Sequence, residues 1–320
     1  MKVLLFEDND VANLYPLTYL RPVFDLRCGA FSIKEKVQKR FPDAKLYVEV
    51  REELAAVAGE AHGSGAVNSP AALADDDDLL LLNAGAILTG DSTAYAAEEC
   101  VGQTADGAFV WAFIKKDTVT RLAAGTGTAL AEAAAGALPC RTVDDVLIRY
   151  GWDLVDNNPS QIVADYEAWF TPQRKSEPME GAAIVGPEEN VWIGEDVEIQ
   201  PHTFIDGRDG PVIISDGCTI TAHTSIQGPC FLGKDVRTFE AKIREGCSIG
   251  AVCRVGGEIE ESILHGFSNK YHTGFLGHSY VCEWVNLGAL TTNSDLKNDY
   301  GTVKVYVQGK PVDSGSIKVG

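Results

Sequence analysis

Positive charge is scarce in this sequence: 27 Lys and Arg stand against 46 Asp and Glu, a net charge of −19 over 320 residues. A nucleic-acid surface needs clustered basic side chains to neutralise phosphates, so this composition excludes that partner. No apolar stretch approaches the ~20 residues of a bilayer-crossing helix, so no membrane partner is expected. The opening MKVLLFEDND meets acids at once and carries no cleavage-site pattern, which makes it a first strand and not a signal peptide. Eight cysteines are present, but no CxxC pair and no close Cys/His cluster. Reduced thiols and a cytoplasmic location are the expectation.

What is present falls into two grammars. Residues 1–155 read as an α/β domain of Rossmann-like type. VLLF (3–6) and KLYVEV (45–50) are strands, and SIKEKVQKRF (32–41) and REELAAVA (51–58) are helices. Asp75–Asp78 form a solvated entry to LLLLNAGAIL (79–88), a run of parallel-strand character. GAFVWAFI (107–114) is a further strand, residues 116–135 an Ala-rich helix, and VDDVLIRY (143–150) the start of another helix. The alternation implies a parallel sheet with ligands at the carboxyl ends of its strands. LAAGTGTAL (122–130) looks like a phosphate loop, but it follows no strand and lies within the Ala-rich segment. Residues 156–183 make a linker, with a helix over DNNPSQIVADYEAWF (156–170).

From residue 184 to 320 apolar residues recur every six positions. Ile193, Ile199 and Ile205 begin the series; Ile214, Ile220, Ile226 and Leu232 follow, then Ile243, Ile249 and Val255, and finally Phe275, Val281 and Leu287. Four positions after each, small or β-branched residues recur, among them Cys218, Cys230, Cys247 and Cys253. This hexapeptide pattern marks a parallel β-helix with its first and fifth positions turned inward. The cysteines are then small core residues. Insertions are expected near 206–211 and 257–262. IKVG at the end opens another hexapeptide, so the chain reads as stopping within the solenoid.

An α/β domain followed by hexapeptides, together with NLYPLTYLRPVFDLRCGAFSIKEK (13–36) and SNKYHTGFLGHSYVCEWVNLGALTTNSDLKNDYG (268–301), resembles the GlmU-type family. Its members are N-acetylglucosamine-1-phosphate uridyltransferases and glucosamine-1-phosphate acetyltransferases. The resemblance implies a left-handed β-helix, a homotrimer, and the substrates sugar 1-phosphate, acyl-CoA and nucleoside triphosphate. It implies acetyl-CoA as acyl donor and Mg²⁺ for nucleotidyl transfer. Aligned on VNLGA (285–289), the family's general base falls on His272, with His278 as a second candidate. Asn286, Asn293, Arg244 and Lys297 match sugar- and phosphate-binding positions. In the first domain Arg21, Arg27 and Lys34 would face phosphate. The family's glycine-rich loop is replaced by FEDNDVAN and its Gly-Asp by Asn83-Ala84, so Asp8 or Asp10 would supply the metal carboxylate.

Two other classes compete with the transferase. A non-catalytic trimeric scaffold or regulatory protein would keep the same repeats. His202, His223, His272 and His278 share the fourth hexapeptide position, a corner, and histidine there is also a structural habit of such repeats. His202 and His223 lie one coil apart, which leaves a zinc-dependent β-helix enzyme as a remote alternative requiring a third histidine.

Overall fold

Leu4 and Leu5 lie at the centre of a five-residue strand, Lys2–Phe6 (β1), whose every residue is buried. The computed structural model describes residues 1–74, 76–122 and 125–320. Ser32 accepts from the Glu35 amide while Glu35 returns a bond to the Ser32 amide, and this capping box starts helix α1, Ile33–Arg40. Strand β2 (Lys45–Glu49), helix α2 (Ala55–His62) and strand β3 (Leu79–Asn83) follow. Then come β4 (Cys100–Gln103), β5 (Phe109–Ile114), α3 (Lys116–Leu122), α4 (Gly127–Ala137) and β6 (Cys140–Thr142).

The sheet order is β2-β1-β3-β5-β4-β6. β1 runs parallel to β2 and β3, but β5 runs antiparallel to both β3 and β4. The sheet is therefore mixed, where alternation had implied a parallel one. The carboxyl ends of β1 and β3 lie side by side, with Phe6 opposite Asn83.

Three local expectations change. LLLLNAGAIL breaks at Ala84-Gly85 into β3 and a short strand, Ala86–Ile87; only glycine fits at 85, where a Cβ would stand 2.5 Å from the Ile148 carbonyl oxygen. VDDVLIRY is extended, and Val146–Leu147 pairs antiparallel with Ala86–Ile87. The cause is Asp145, buried, whose carboxylate accepts from the Thr89 amide (2.8 Å), the Thr89 hydroxyl (3.2 Å), Tyr95 (2.6 Å) and Trp111 Nε1 (2.8 Å). The Ala-rich segment is two helices, and Ala123 and Ala124 between them lie outside the described residues. Thr126 caps α4, and the Gly127 amide donates to the Glu49 carboxylate at 2.8 Å. A protein carboxylate thus holds the helix N-terminus that a phosphate would need. Of the aspartate run, Asp76 pairs with Lys2 at 2.7 Å and Asp78 accepts from the Lys116 amide; Asp75 lies outside the described residues.

The chain divides into two compact units: Met1–Leu26 with Ser32–Tyr150, and Arg27–Phe31 with Gly151–Gly320. The second unit begins with helix α5, Gly151–Trp169, which carries Pro159 inside it. Its solenoid is a left-handed parallel β-helix of three faces. One face stacks Ile193, Ile214, Leu232, Ile249, Leu264 and Val281 in parallel register. Another stacks Ile205, Ile226, Ile243, Ile259 and Leu276. Cys218, Cys230, Cys247 and Cys253 fill inward slots and are 0% exposed. His202 (φ 65°), His223 (φ 62°) and His278 (φ 48°) turn corners in the left-handed conformation.

The coil length varies. The insertion near 206–211 is present, since Ile193 pairs with Ile214 twenty-one residues on. The stretch 257–262 is not an insertion but a shortening, since Ile249 pairs with Leu264 only fifteen residues on. Gly257 (φ 68°) lets the chain cut the corner; a Cβ there would meet the Gly274 carbonyl oxygen at 2.7 Å. The register then shifts by one, so Leu276 and not Phe275 points inward. Val255 stacks on Lys270, which takes the slot held elsewhere by Ile199 and Ile220.

Residues 27–31 are fixed by α5 and the coils. The Gly29 amide donates to Asn158 Oδ1 (2.7 Å) and the Ala30 amide to Asp165 Oδ2 (2.8 Å). Ser248 Oγ donates to the Gly29 carbonyl (2.9 Å), and Asn158 Nδ2 to the Gly246 carbonyl (2.8 Å). All these polar atoms are buried and satisfied. Beside them Ala30, Ile162, Tyr166, Ile213 and Phe231 form a small core.

Candidate functional site

In the α/β unit a cavity of about 230 Å³ opens at the carboxyl ends of β1 and β3. Glu7, Asp8, Asp10, Asn83 and Arg149 line it. Asp8 caps the turn after β1, accepting from the Asp10 amide at 2.9 Å, and its other oxygen accepts from Asn83 Nδ2 at 2.7 Å. Asn83 Oδ1 accepts from the Gly85 amide at 2.9 Å. Burial pushes the Glu7 carboxyl above its usual range, against the opposing pull of Arg51. Arg149 is held by Asp106 through two bonds of 2.7 and 2.8 Å. That ion pair holds Asp106 below the usual carboxylate range. Asp8 and Asp10 are hard oxygen donors two residues apart, which suits Mg²⁺.

The three basic candidates of this half are engaged differently. Lys34 Nζ lies 2.5 Å from His62 Nδ1 and 3.7 Å from Asp25, and His62 Nε2 meets Asp25 at 3.0 Å. Arg21 follows the turn at Pro16, and its carbonyl lies 3.5 Å from an Arg51 nitrogen. Arg27 belongs to the second unit, where its guanidinium lies 5.4 Å from the Phe231 ring centre and bonds to the Ala30 carbonyl. It does not join Asp8 and Asp10 in the cavity lining, because residues 27–31 are claimed by α5 and the coils.

On the β-helix the two histidines of KYHTGFLGH differ. His278 is 7% exposed, with Nδ1 at 2.8 Å from Asp295 and Nε2 at 3.4 Å from Glu261. Burial alone would lower its pKa, but Glu261 and Asp295 outweigh it and hold the imidazole above its usual value. The same contact lowers Glu261. His272 is exposed. Its ring meets only the edge of Tyr271, 6.0 Å between centres, and among the described residues neither nitrogen has a hydrogen-bond partner. Measured from Lys270 and Leu276, the two histidines hold third positions, and only His278 has the left-handed backbone.

Arg244 pairs with Glu260 at 2.9 Å and lies 3.8 Å from Glu258. Lys297 donates to the Thr302 carbonyl at 3.0 Å. Asn286 is exposed one coil above Asn269. Asn293 is spent on the backbone, accepting from the Gly277 amide and donating to the Gly277 carbonyl and Ser279 Oγ. His202 and His223 stack face to face, 5.4 Å between centres and 4° apart in plane. Among the described residues no third metal ligand joins them; the one triad at ligand spacing is Glu260, Glu261 and His278. Arg244 and Lys318 (3.2 Å) already neutralise Glu260, so this triad is an ion-pair network. The carboxylate partners of His278 were missed from the sequence; coil length is the signal, since Asp295 follows by seventeen residues.

One chain thus carries a mixed α/β sheet with a carboxylate-lined cavity and a β-helix. A model of the sugar nucleotidyl transferase family matches residues 3–174, more than half of the chain, and the chain belongs to that family. It is a GlmU-type member. It is 29% identical over 158 residues to a bifunctional protein GlmU of Carboxydothermus hydrogenoformans, covering 41% of this chain and 35% of that one. It is 31% identical over 162 residues to the bifunctional protein GlmU of a Synechococcus, strain CC9311, covering 44% and 35%. A 63-residue stretch is 40% identical to a bifunctional sugar-1-phosphate nucleotidylyltransferase/acetyltransferase of Sulfurisphaera tokodaii, covering 20% and 16%. The matched part thus spans about a third or less of these relatives' length. Among the described residues no helix is long and apolar enough to cross a membrane.

Proposed function

We propose that the β-helix transfers an acyl group from acyl-CoA, acetyl-CoA by preference, to the amine of an amino-sugar 1-phosphate, with His272 as general base. His272 takes the proton from the sugar ammonium, and the freed amine attacks the thioester carbon. The C–S bond breaks, an amide forms, and the thiolate leaves to be protonated as free CoA. The observation that carries this reading is the exposed His272 imidazole with both nitrogens uncommitted, beside a His278 fully bound by carboxylates. Asn286 and Lys297, also exposed, would contact the sugar, and Arg244 would exchange a glutamate for the sugar phosphate. The protein would act as a cytoplasmic homotrimer.

In the α/β unit the same reading assigns nucleotidyl transfer to a sugar 1-phosphate, with Mg²⁺ on Asp8 and Asp10. When bound, the ion would neutralise the triphosphate, a task the cavity's own side chains leave open because Arg149 is already paired with Asp106. Asp8 and Asp10 would hold it, and Asn83 would orient Asp8.

The deciding experiment incubates the purified chain with acetyl-CoA and glucosamine 1-phosphate or related amino-sugar phosphates, and follows free thiol. Turnover that His272→Ala reduces at least about a hundredfold, with the fold retained, is the expected result. Absence of turnover with every pair, and of Mg²⁺-dependent pyrophosphate release from any nucleoside triphosphate, would leave the scaffold reading in its place.

A further inference from the structure

Lys270 is 1% exposed and occupies an inward slot of the β-helix, stacked on Val255. Earlier coils fill the slot with Ile199, Ile220, Thr238 and Val255. A lysine is almost never fully buried without a counter-charge. Among the described residues no carboxylate pairs with Lys270. Its ammonium donates instead to two backbone carbonyls, Gly256 (3.0 Å) and His272 (2.7 Å). Burial pulls its pKa below the usual value, so the placement opposes the lysine's own charge. A leucine in the slot would avoid that cost, which leaves the two carbonyls as the reason for a lysine.

Those carbonyls belong to successive coils at the corner that carries His272. The corner is close-packed backbone. A Cβ at Gly256 would meet the Tyr271 oxygen at 2.1 Å, one at Gly257 the His272 oxygen at 3.1 Å, and one at Gly274 the Thr291 oxygen at 2.1 Å. His278 is oriented by Asp295 through its ring, whereas His272 has no side-chain orienter. We infer that Lys270 is the positioning residue for His272: it fixes the imidazole through its backbone, tying the 272 carbonyl to the coil below. The inference rests on the acyl-transfer reading above for its functional meaning. Its structural content stands apart from that reading.

The test uses the full chain with Lys270→Met, which keeps length and loses the donors, and Lys270→Gln, which keeps a shorter amide donor. Two readouts are taken: amide hydrogen exchange over 271–275 with the His272 ring resonance, and kcat and KM for acyl transfer. In Lys270→Met, exchange at the corner should rise about tenfold while other coils keep their protection. kcat should fall by about tenfold or more, since a misplaced base loses up to ~10²-fold per ångström, with KM for the sugar phosphate within about twofold. Lys270→Gln should fall between, and it carries the same readouts should the methionine variant fail to fold. Unchanged corner exchange and an unchanged His272 resonance in either variant would overturn the inference. Absence of acyl transfer in the unaltered protein would instead defeat the acyl-transfer reading, and the exchange and resonance data would still decide the positioning.

Discussion

Lys2 in β1 and Lys270 in the β-helix are each 1% exposed, yet they are satisfied in different ways. Lys2 meets Asp76 at 2.7 Å as well as the carbonyls of Ala71 and Ala74. Lys270 meets carbonyls alone. The difference follows from how each unit is built. The α/β unit has loops between its strands, and a loop can bring a counter-charge to a buried group. A β-helix interior is a stack of equivalent slots, so a polar group inside reaches backbone, or a neutral neighbour in the next coil as Thr224 reaches Thr238 at 2.9 Å. Counter-charge therefore reaches the buried lysine of the first unit, while that of the second is held by backbone at a corner.

The largest test of that contrast removes the hub of the internal network. Asp145→Ala strands Thr89, Tyr95 and Trp111 donors in the core and should cost about 3–5 kcal/mol, read by chemical denaturation of the full chain. A loss under about 1 kcal/mol would mean that water replaces the carboxylate. Next comes a buried network of the β-helix unit, around residues 27–31. Gly29 has φ 85°, and a Cβ there would stand 2.4 Å from Asp165 Oδ2. Gly29→Ala should destabilise by about 2–3 kcal/mol. An unchanged midpoint would show that this segment is dispensable to the unit it joins.

The solenoid was legible because its inward slots repeat chemically, Ile over Ile and Cys over Cys. The coil that cuts its corner at Gly257 was not, because a shortened coil and an insertion disturb the period alike. VDDVLIRY misleads for a definite reason. Val143, Val146, Leu147 and Tyr150 have helical spacing, while the tertiary bonds to Asp145 require an extended chain. Strands Cys100–Gln103 and Cys140–Thr142 are too short and too polar to announce themselves. That Asp8 and Asp10 line the cavity follows from their place directly after the first strand. The place of Arg27 was not legible, because its capture by Phe231 lies some two hundred residues along the sequence. The difference between His272 and His278 was likewise hidden, since it depends on carboxylates a full coil away.

A third test sharpens the corner comparison through pH. His278 has a folded-state pKa above the 6.5 of a free imidazole, so the protonated ring favours the folded chain. Its contribution is fully present below the unfolded value and is lost as pH rises through the folded one. His278→Gln should therefore lower stability by about 1–2 kcal/mol near pH 6 and by progressively less above the raised pKa. The unaltered chain is the reference, and the gap between its stability and that of His278→Gln should close as pH rises. A gap that stays constant across pH would remove the charged role given to His278 between Glu261 and Asp295.

The smallest effect concerns thiols and leaves stability untouched. If the solenoid's cysteines are core atoms and nothing more, their chemistry should be silent. Burial pushes Cys218 and Cys247 up to about 12 and Cys253 up to about 11. A thiol attacks as its thiolate, so at pH 8 these groups should be inert on two counts, access and ionisation. Cys140, on strand β6, is exposed to the reagent. A maleimide at pH 8 should label Cys140 within minutes and leave Cys218, Cys230, Cys247 and Cys253 unlabelled until the chain is denatured, as read by peptide mass. Labelling of any of the four in the native protein would mean that the coils open locally. The uniform, closed interior on which the comparison of the two units rests would then be wrong for that coil.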